Sequence, residues 1–459
     1  MTDQQSERSV PLEPAWEREG TVYVVGLDGM TLDLIEPMVE AGDLPTFARL
    51  AREGSFGRLE TIRPTNSSLL WTTIATGRHH ADHGIDGFQY YTILGRKVTR
   101  TTIRKYRRRG IRLVEAVAKA LHLRKRFHFD GRHILAKTFW DLVSESGRNA
   151  VLVNWWHSWP AAPINGCVVS DRVHYWRSAA RGKEPKQSHL TYPPELLDEA
   201  RDLLMAPDEV TAEELQRWVN LPVERIQALI EQPHRKRSPV HELRFLVSAD
   251  LTYSRLFEHC VDRFDDLCLA CVYLRGPDIS QHSAFGYMPS SVNSDATPEE
   301  REAFGRVVPE TYRFADEQLG RVVDRMGPED TLFVVSDHGY AVQADRPGGR
   351  HGPYGHALCK PPGILYACGS GIEPGARIPE ADVYDVAPTV LRALGFPLSA
   401  ELKGRPLEDV FTADWRREHP APPSVPTYGP RLARHDAVRT SARTDEAVTE
   451  HLRALGYLE

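Results

Sequence analysis

Residues 21–29 read Thr-Val-Tyr-Val-Val-Gly-Leu-Asp-Gly, a short apolar run that ends in the carboxylate of Asp28. Two later stretches have the same character, residues 267–274 (LCLACVYL) and residues 331–336 (TLFVVS). Near-continuous apolar runs of this length are typical of strands buried on both faces, as in the parallel sheet of an α/β domain. We therefore predict an α/β fold with a mostly parallel central sheet flanked by helices.

Each of these runs is followed by side chains that bind metal ions. In open α/β sheets, sites form just beyond the carboxyl ends of the strands, where residues from different strands meet. We expect one crevice at this edge to collect the ligands that follow the three runs, which are Asp28, Asp278, His282, Asp337 and His338. The sequence therefore predicts a metal-dependent enzyme.

The spacing of these residues indicates one ligand set after the second run. Asp278 and His282 are four residues apart, so on a helix both side chains face one ion. A third ligand is needed, and the Gly-rich segment further along the chain offers His351 and His356. Either histidine can complete the set, and we favour His356.

The second ligand set combines Asp28 with Asp337 and His338, which share the turn after the third run. Carboxylate and imidazole ligands with open coordination positions suit zinc, with manganese as the alternative. Two divalent ions about 4 Å apart stabilise the attacking and the leaving oxygen of an in-line displacement. Phosphoryl transfer is the reaction that most needs this arrangement.

Ser67 is the candidate nucleophile for that reaction. It lies in the polar segment 65–68, directly before an apolar run at 69–75 that predicts a helix. Amide donors and the dipole at a helix N-terminus favour a bound phosphate. A serine hydroxyl also needs a metal or a base to become reactive, and the predicted ions supply that condition.

Composition and cysteine usage predict a cytoplasmic protein. The 459 residues are 41% hydrophobic and 26% charged, no apolar stretch reaches the length of a membrane span, and the polar N-terminus shows no secretory signal. The six cysteines are scattered and are interpreted as buried free thiols, which fits a reducing compartment. Cys268 and Cys271 form a C-x-x-C within a predicted strand, where we expect them to point to opposite faces.

A strongly basic stretch interrupts this otherwise acidic chain. Residues 96–132 contain fourteen Lys or Arg and two acidic residues, which leaves 43 basic and 61 acidic residues elsewhere. Within it, residues 111–123 have the pattern of a short amphipathic helix. The stretch is either a solvated insertion packed on the acidic body or a docking patch for an anionic partner or membrane surface, and we favour the solvated insertion. No specific nucleic acid is predicted.

Changes in composition and the positions of proline and glycine divide the chain into seven segments. We expect the α/β core to be interrupted by the basic insertion and by a helical cap rich in polar residues and proline. The predicted division is a polar tail at 1–19, core at 20–92, the basic insertion at 93–135, core at 136–175, the helical cap at 176–242, core at 243–410 and a C-terminal extension at 411–459.

Several of these motifs, in this chain order, resemble those of one enzyme superfamily. They are Leu27-Asp28-Gly29, the segment 67–77 (SSLLWTTIATG), His83-Gly84-Ile85, Trp155-Trp156-x-x-Trp159-Pro160, Asp278-x-x-x-His282, Ser336-Asp337-His338-Gly339, Pro362-Gly363-Ile364-Leu365 and Tyr384-Asp385-Val386-Ala387-Pro388-Thr389. Together they resemble the alkaline phosphatase superfamily, and most of all its type I phosphodiesterase and nucleotide pyrophosphatase branch. The resemblance extends over most of residues 22–411, apart from the basic stretch and the predicted cap.

The resemblance implies a role for each matching residue. Ser67 aligns with the nucleophile that bridges the two metals, and hydrolysis is expected to proceed through a phosphoserine. One zinc is expected on Asp278, His282 and His356, and the other on Asp28, Asp337 and His338. The expected enzyme is thus a phosphoric ester hydrolase that acts on a small-molecule phosphoester.

This chain also departs from that branch. Where nucleotide pyrophosphatases carry an Asn that helps to hold the phosphoryl oxygens, this chain has Asp86, so nucleotide specificity does not follow. We favour a phosphodiesterase, because no extra cation for a monoester dianion can be assigned from spacing. The alternatives are a phosphomonoesterase or phosphomutase on the same scaffold, or a catalytically silent protein that binds a phospholigand. A sulfatase is disfavoured because no C/S-x-P-x-R sequence surrounds Ser67.

Overall fold

The computed structural model describes most of the chain. The described residues are 12–93, 96–98, 123–180, 186–232, 239–289, 296–340, 361–431, 438, 441–455 and 457–458. The predicted helix at 111–123 and both candidate third ligands, His351 and His356, lie outside the described residues, apart from position 123.

A nine-stranded sheet forms the centre of the molecule, in the order β12-β2-β11-β10-β1-β9-β6-β7-β8. Its strands are β1 (Val22–Leu27), β2 (Gly54–Leu59), β6 (Asn149–Val153), β7 (Gly166–Val169), β8 (Thr191–Tyr192), β9 (Leu267–Leu274), β10 (Thr331–Val335), β11 (Gly363–Gly369) and β12 (Ala376–Arg377). Three more strands, β3 (Gln89–Ile93), β4 (Arg96–Val98) and β5 (Arg124–His128), form a second, antiparallel sheet.

The three strands predicted from the apolar runs are direct neighbours. β1 lies between β10 and β9 and is parallel to both, with Val22 in register with Thr331 on one side and Leu269 on the other. The pairs β6–β7, β6–β9 and β12–β2 are also parallel, whereas β11 is antiparallel to both of its neighbours and β8 is antiparallel to β7. The carboxyl ends of β1, β9 and β10 therefore open at one edge, and the predicted mostly parallel α/β fold is confirmed.

Helices cover both faces of this sheet. Along β1, the side chains of Tyr23 and Val25 pack into one hydrophobic cluster, and those of Val22 and Val24 pack into a second cluster on the other face. The described helices are Leu32–Glu40, Pro45–Glu53, Ser67–Thr76, His80–His83, Phe139–Glu145, Val173–Ser178, Leu196–Glu199, Ala212–Leu215, Val223–Ile230, Pro239–Val261, Gly276–Ala284, Pro298–Phe304, Val307–Val323, Val386–Ala393, Ala413–Glu418 and Ala442–Ala454.

Short helices occur where the cap was predicted, and a second sheet occurs where the basic insertion begins and ends. Short helices follow one another at 196–199, 212–215 and 223–230, and their buried residues join the main hydrophobic cluster. β4, β5 and the last residue of β3 lie in the described part of the basic insertion. The boundaries of the seven predicted segments stay a prediction. Among the described residues, no helix is both long enough and apolar enough to cross a membrane.

The expectation that Cys268 and Cys271 point to opposite faces of their strand is wrong. Both side chains belong to the same hydrophobic cluster. The cause is an irregularity in β9: Asn149 pairs with Leu267 and Ala150 with Leu269, so Cys268 is an extra residue that shifts the alternation of side chains. Both cysteines are buried free thiols, as are Cys167 and Cys260, while Cys368 is a partly buried free thiol.

Candidate active site

The crevice at the carboxyl ends of β1, β9 and β10 brings together side chains from all three strand ends. Possible ligand atoms of Asp28, Asp278 and His338 lie within 4.8 Å of one another, and all three residues are buried. The amide of Asp28 donates to the carbonyl of Leu274 at the end of β9 (3.0 Å), which aligns the two strand ends. The structure therefore brings together the residues predicted from the sequence, although their role as metal ligands stays a prediction.

His338 presents one ring nitrogen to two carboxylates. Its Nδ1 lies 3.0 Å from the carbonyl oxygen of Gly339, which can only accept, so the proton belongs on Nδ1. The lone pair of Nε2 then faces Asp28 Oδ1 and Asp337 Oδ2, each 3.5 Å away. Asp337 and His338 are fully buried. One imidazole nitrogen and two carboxylate oxygens this close together are the kinds of ligand atom that a divalent cation binds.

The second half of the site is built on the helix Gly276–Ala284. Asp278 and His282 lie one turn apart on this helix, as predicted, with 3.4 Å between Asp278 Oδ2 and His282 Nε2. This helix packs tightly against the end of β1: a Cβ atom added to Gly29 would lie 2.9 Å from the Cβ of Asp278. Gly29 also has a φ of +76°, so both the backbone conformation and the close approach require glycine.

Ser67 is the first residue of the helix Ser67–Thr76, and Asn66 caps that helix by accepting from the amide of Leu69. The Ser67 Oγ lies 3.2 Å from His338 Nε2 and 3.4 Å from Asp28 Oδ1. The hydroxyl is therefore at a helix N-terminus and next to the candidate ligands at the same time. This is the position that a nucleophile requires.

The neighbouring hydroxyl of Ser68 points elsewhere. It donates to the carbonyl of Gly87 (2.8 Å) and lies 2.7 Å from His157 Nε2. His157 is buried, and burial lowers its pKa to about 3, so this imidazole is neutral and forms an internal polar contact. The two adjacent serines thus differ in environment, and Ser67 is the one that faces the candidate metal ligands.

Sequence reasoning missed two tyrosines at this site. The hydroxyl of Tyr273 donates to Asp28 Oδ2, and the hydroxyl of Tyr457 donates to Asp278 Oδ2. Burial raises the pKa of both phenols, which keeps both hydroxyls protonated as donors. A tyrosine in the apolar run of β9 was a detectable signal, because a buried phenol needs a partner. Tyr457 gave no such signal, since 179 residues separate it from Asp278.

The three tryptophans considered from the sequence have different positions. Trp155 and Trp159 are buried in the core, where their indole N–H groups donate to the carbonyls of Trp71 and Ser188. Trp156 is only partly buried, and its Nε1 donates to the hydroxyl of Tyr273 (2.8 Å). Only Trp156 therefore belongs to the network around the site.

The donor set fits divalent metal ions. Asp28, Asp337 and His338 would hold one ion, and Asp278 and His282 would take part in holding the other. Buried carboxylates and imidazoles are ligands that zinc and manganese accept. Bound ions would supply positive charge to stabilise the oxygens of a reacting phosphoryl group.

The family model that matches this chain defines its class, a hydrolase of the alkaline phosphatase superfamily that acts on phosphoester bonds. The model of the type I phosphodiesterase/nucleotide pyrophosphatase family matches residues 22–346, and the chain belongs to this family. The predicted family and reaction class are thereby confirmed.

Solved structures of one alkaline phosphatase show the same fold at low sequence identity. The chain is similar to wild-type alkaline phosphatase PafA and to a variant of it, each with a TM-score of 0.50, 13% identity and coverage of 87% of this chain and 100% of that chain. It is also similar to murine ectonucleotide pyrophosphatase/phosphodiesterase 5, with a TM-score of 0.42, 12% identity and coverage of 85% and 100%. The search of curated proteins gave no significant match.

Proposed function

We propose that this protein is a metal-dependent phosphodiesterase that uses Ser67 as its nucleophile and passes through a phosphoserine intermediate. The observation that carries the proposal is the position of the Ser67 hydroxyl, 3.2 Å from His338 Nε2 and 3.4 Å from Asp28 Oδ1 at the start of a helix. The two divalent ions are proposed to be zinc, with manganese as the alternative.

The residues of the site have distinct tasks in this reaction. The Ser67 oxygen attacks phosphorus, the bond to the leaving ester oxygen breaks, and water then hydrolyses the phosphoserine to regenerate Ser67. Asp28 and His338 would hold the ion that lowers the pKa of the Ser67 hydroxyl, so the proton would leave to water as the oxygen attacks. Free amides in the first turn of the helix Ser67–Thr76 favour the anionic phosphoryl group.

The surroundings of Arg275 support a diester over a monoester. Its guanidinium lies 5.7 Å from the ring of Tyr273, and it is therefore near the site. Its two terminal nitrogens donate to Tyr175 (2.6 Å) and to Asn154 (3.1 Å), so these donors face protein groups rather than a phosphate dianion. Where nucleotide pyrophosphatases have Asn, this chain has Asp86, and one oxygen of its carboxylate is buried without a hydrogen bond among the described residues. Phosphomonoester hydrolysis and phosphomutase activity remain the alternatives.

The test compares two serine variants. Wild-type protein, Ser67→Ala and Ser68→Ala are purified, their metal content is measured, and each is assayed with an aryl phosphodiester and with the matching monoester. We expect Ser67→Ala to lose about 10³-fold or more in kcat on the diester, because the nucleophile is gone. Ser68→Ala is the matched control, and we expect it to keep the Ser67-dependent reaction and a phosphoserine trapped at Ser67.

Two results would contradict the proposal. Full activity of Ser67→Ala on both esters would show that Ser67 is not the nucleophile. Wild-type protein that holds metal but hydrolyses neither ester would instead support a silent phospholigand-binding protein.

We also propose a cytoplasmic location. Its support is the set of five described cysteines, all of which are free thiols. Cell fractionation followed by immunodetection tests this location, and recovery of the protein outside the cytoplasm would contradict it.

A further inference from the structure

Tyr457 lies in the candidate metal site although it follows the helix Ala442–Ala454, far along the chain from the other site residues. We propose that Tyr457 is a positioning residue, which holds the carboxylate of Asp278 in the orientation needed to bind a divalent ion. The inference rests on the proposed function, because it assumes that Asp278 is a metal ligand.

The contacts of the phenol are with both candidate ligands of one centre. Its hydroxyl donates to Asp278 Oδ2 and lies 3.2 Å from His282 Nε2. Its ring packs against the imidazole of His282, with 4.9 Å between centroids, and against Phe88, with 4.8 Å. All of these groups are buried. The hydroxyl therefore restricts the rotation of the Asp278 carboxylate from one side.

The position of Tyr457 is fixed by the preceding helix. Its amide donates to the carbonyl of Leu452 (2.8 Å), and the Leu452 side chain is buried in the main hydrophobic cluster. The same helix is joined to the body by an ion pair between Asp445 and Arg172 (2.6 Å) and by Thr449, whose Oγ1 lies 2.8 Å from His128 Nε2. Packing of the helix Ala442–Ala454 on the body thus places the Tyr457 hydroxyl at the candidate metal site.

A group that orients a metal ligand affects how tightly the site binds its ion. Loss of such a partner typically weakens metal binding by about 10-fold to 100-fold. The hydroxyl of Tyr457 contacts the Asp278 carboxylate, whereas that of Tyr273 contacts Asp28. Removal of the Tyr457 hydroxyl should therefore weaken the binding of one of the two metal ions and leave the binding of the other unchanged.

The experiment measures zinc binding by competition with a chromophoric chelator. Metal-stripped wild-type protein, Tyr457→Phe, Asp278→Asn and the double variant are titrated, and circular dichroism verifies the fold of each. We expect Tyr457→Phe to lower the affinity for one zinc ion by about 10-fold to 100-fold and to leave the affinity for the second unchanged. In the Asp278→Asn background, the same change should have little further effect, because the carboxylate that it positions is gone.

Tyr428→Phe is the matched control. Tyr428 is also buried, and its hydroxyl accepts from the amide of Ser399 (3.0 Å) and donates to the carbonyl of Pro397 (2.9 Å). We expect this variant to bind both zinc ions as the wild type does.

The outcomes separate the inference from the proposed function. If wild-type protein binds two zinc ions and Tyr457→Phe binds both equally well, the inference is overturned and the proposed function stands. An equal loss of both ions in Tyr457→Phe would show a general structural role and would also overturn it. If the wild type binds no metal, both the inference and the proposed function fail.

Discussion

At the scale of single residues, the candidate site is organised by pairs in which a buried tyrosine supports a buried aspartate. Tyr273 is held in place by the indole of Trp156, which donates to its hydroxyl (2.8 Å), and by edge-to-face packing on Trp71, with 4.8 Å between ring centroids. Its own hydroxyl donates to Asp28 Oδ2. Such hydrogen bonds orient a carboxylate without contributing a ligand atom.

We predict that Tyr273→Phe raises the zinc concentration needed for half-maximal diesterase activity by about 10-fold. The ring and its packing remain, but the Asp28 carboxylate loses the donor that orients it. Diesterase activity is measured as a function of the free zinc concentration, which a metal buffer sets. Most of the activity should return at saturating zinc, because the ligand atoms are unchanged.

Tyr253→Phe serves as the comparison for this prediction. Tyr253 is a buried tyrosine whose hydroxyl accepts from the amide of His174 (3.0 Å). The prediction is wrong if Tyr273→Phe needs no more zinc than the wild type, or if Tyr253→Phe shows the same increase.

At the scale of elements, a buried carboxylate accepts hydrogen bonds at the start of the helix that bears Asp278 and His282. Asp250, in the helix Pro239–Val261, accepts from the amide of Gly276 (3.0 Å) and from that of Arg275 (3.3 Å). These are the amides of the N-cap Arg275 and of the first helical residue, Gly276, and amides at these positions have no partner within the helix. Asp250 therefore fixes where the helix begins and, through it, where its two candidate ligands lie.

We predict that the stability of Asp250→Asn relative to wild type rises between pH 5 and pH 8. Burial raises the pKa of Asp250 from 3.8 to about 7, so its contribution to stability is present at low pH and is lost as pH rises through 7. The asparagine does not titrate. The difference in free energy of unfolding should therefore shift in favour of the variant by on the order of 2 kcal/mol.

Urea unfolding of both proteins at pH 5 and pH 8, in the absence of metal, measures this shift. Asp414→Asn is the control, because Asp414 is largely exposed. A difference between Asp250→Asn and wild type that stays constant with pH would contradict the prediction.

At the scale of the whole molecule, charge is unevenly distributed, and part of the excess positive charge lies on the second sheet. Lys97 on β4 and Lys125 on β5 both pair with Thr92 on the strand between them, so they share one face. Phe127 lies two residues after Lys125 on that face and is 41% exposed. Exposed aromatic and basic side chains on one face favour the docking alternative for the basic stretch.

We therefore propose that this face binds anionic membrane surfaces. Each basic residue near such a surface contributes about 1 kcal/mol, so Lys97→Ala combined with Lys125→Ala should weaken binding to phosphatidylserine-containing vesicles by about 30-fold. Cosedimentation measures this binding. Replacement of the exposed pair Arg416 and Arg417 by alanine is the matched control. Wild-type protein that does not bind these vesicles would support the solvated-insertion alternative instead.

The amino-acid sequence alone determined the parallel centre of the fold and most of the candidate site. Apolar runs mark buried strands because both faces of such a strand must be apolar, and the ends of parallel strands meet at one edge. The positions of Asp28, Asp278, Asp337 and His338 just after these runs were therefore enough to predict that they lie together. Ser67 could be placed at a helix N-terminus by the polar residues before its helix.

Only the tertiary structure decided which groups surround those residues. The extra residue Cys268 shifts the alternation of β9, an effect that depends on pairing with β6 rather than on local sequence. Adjacent residues on a helix point about 100° apart, but which of Ser67 and Ser68 faces the ligands depends on how the helix is packed. Tyr457 reaches Asp278 because a distant helix docks on the body, and contacts of this kind leave no periodic pattern in the chain.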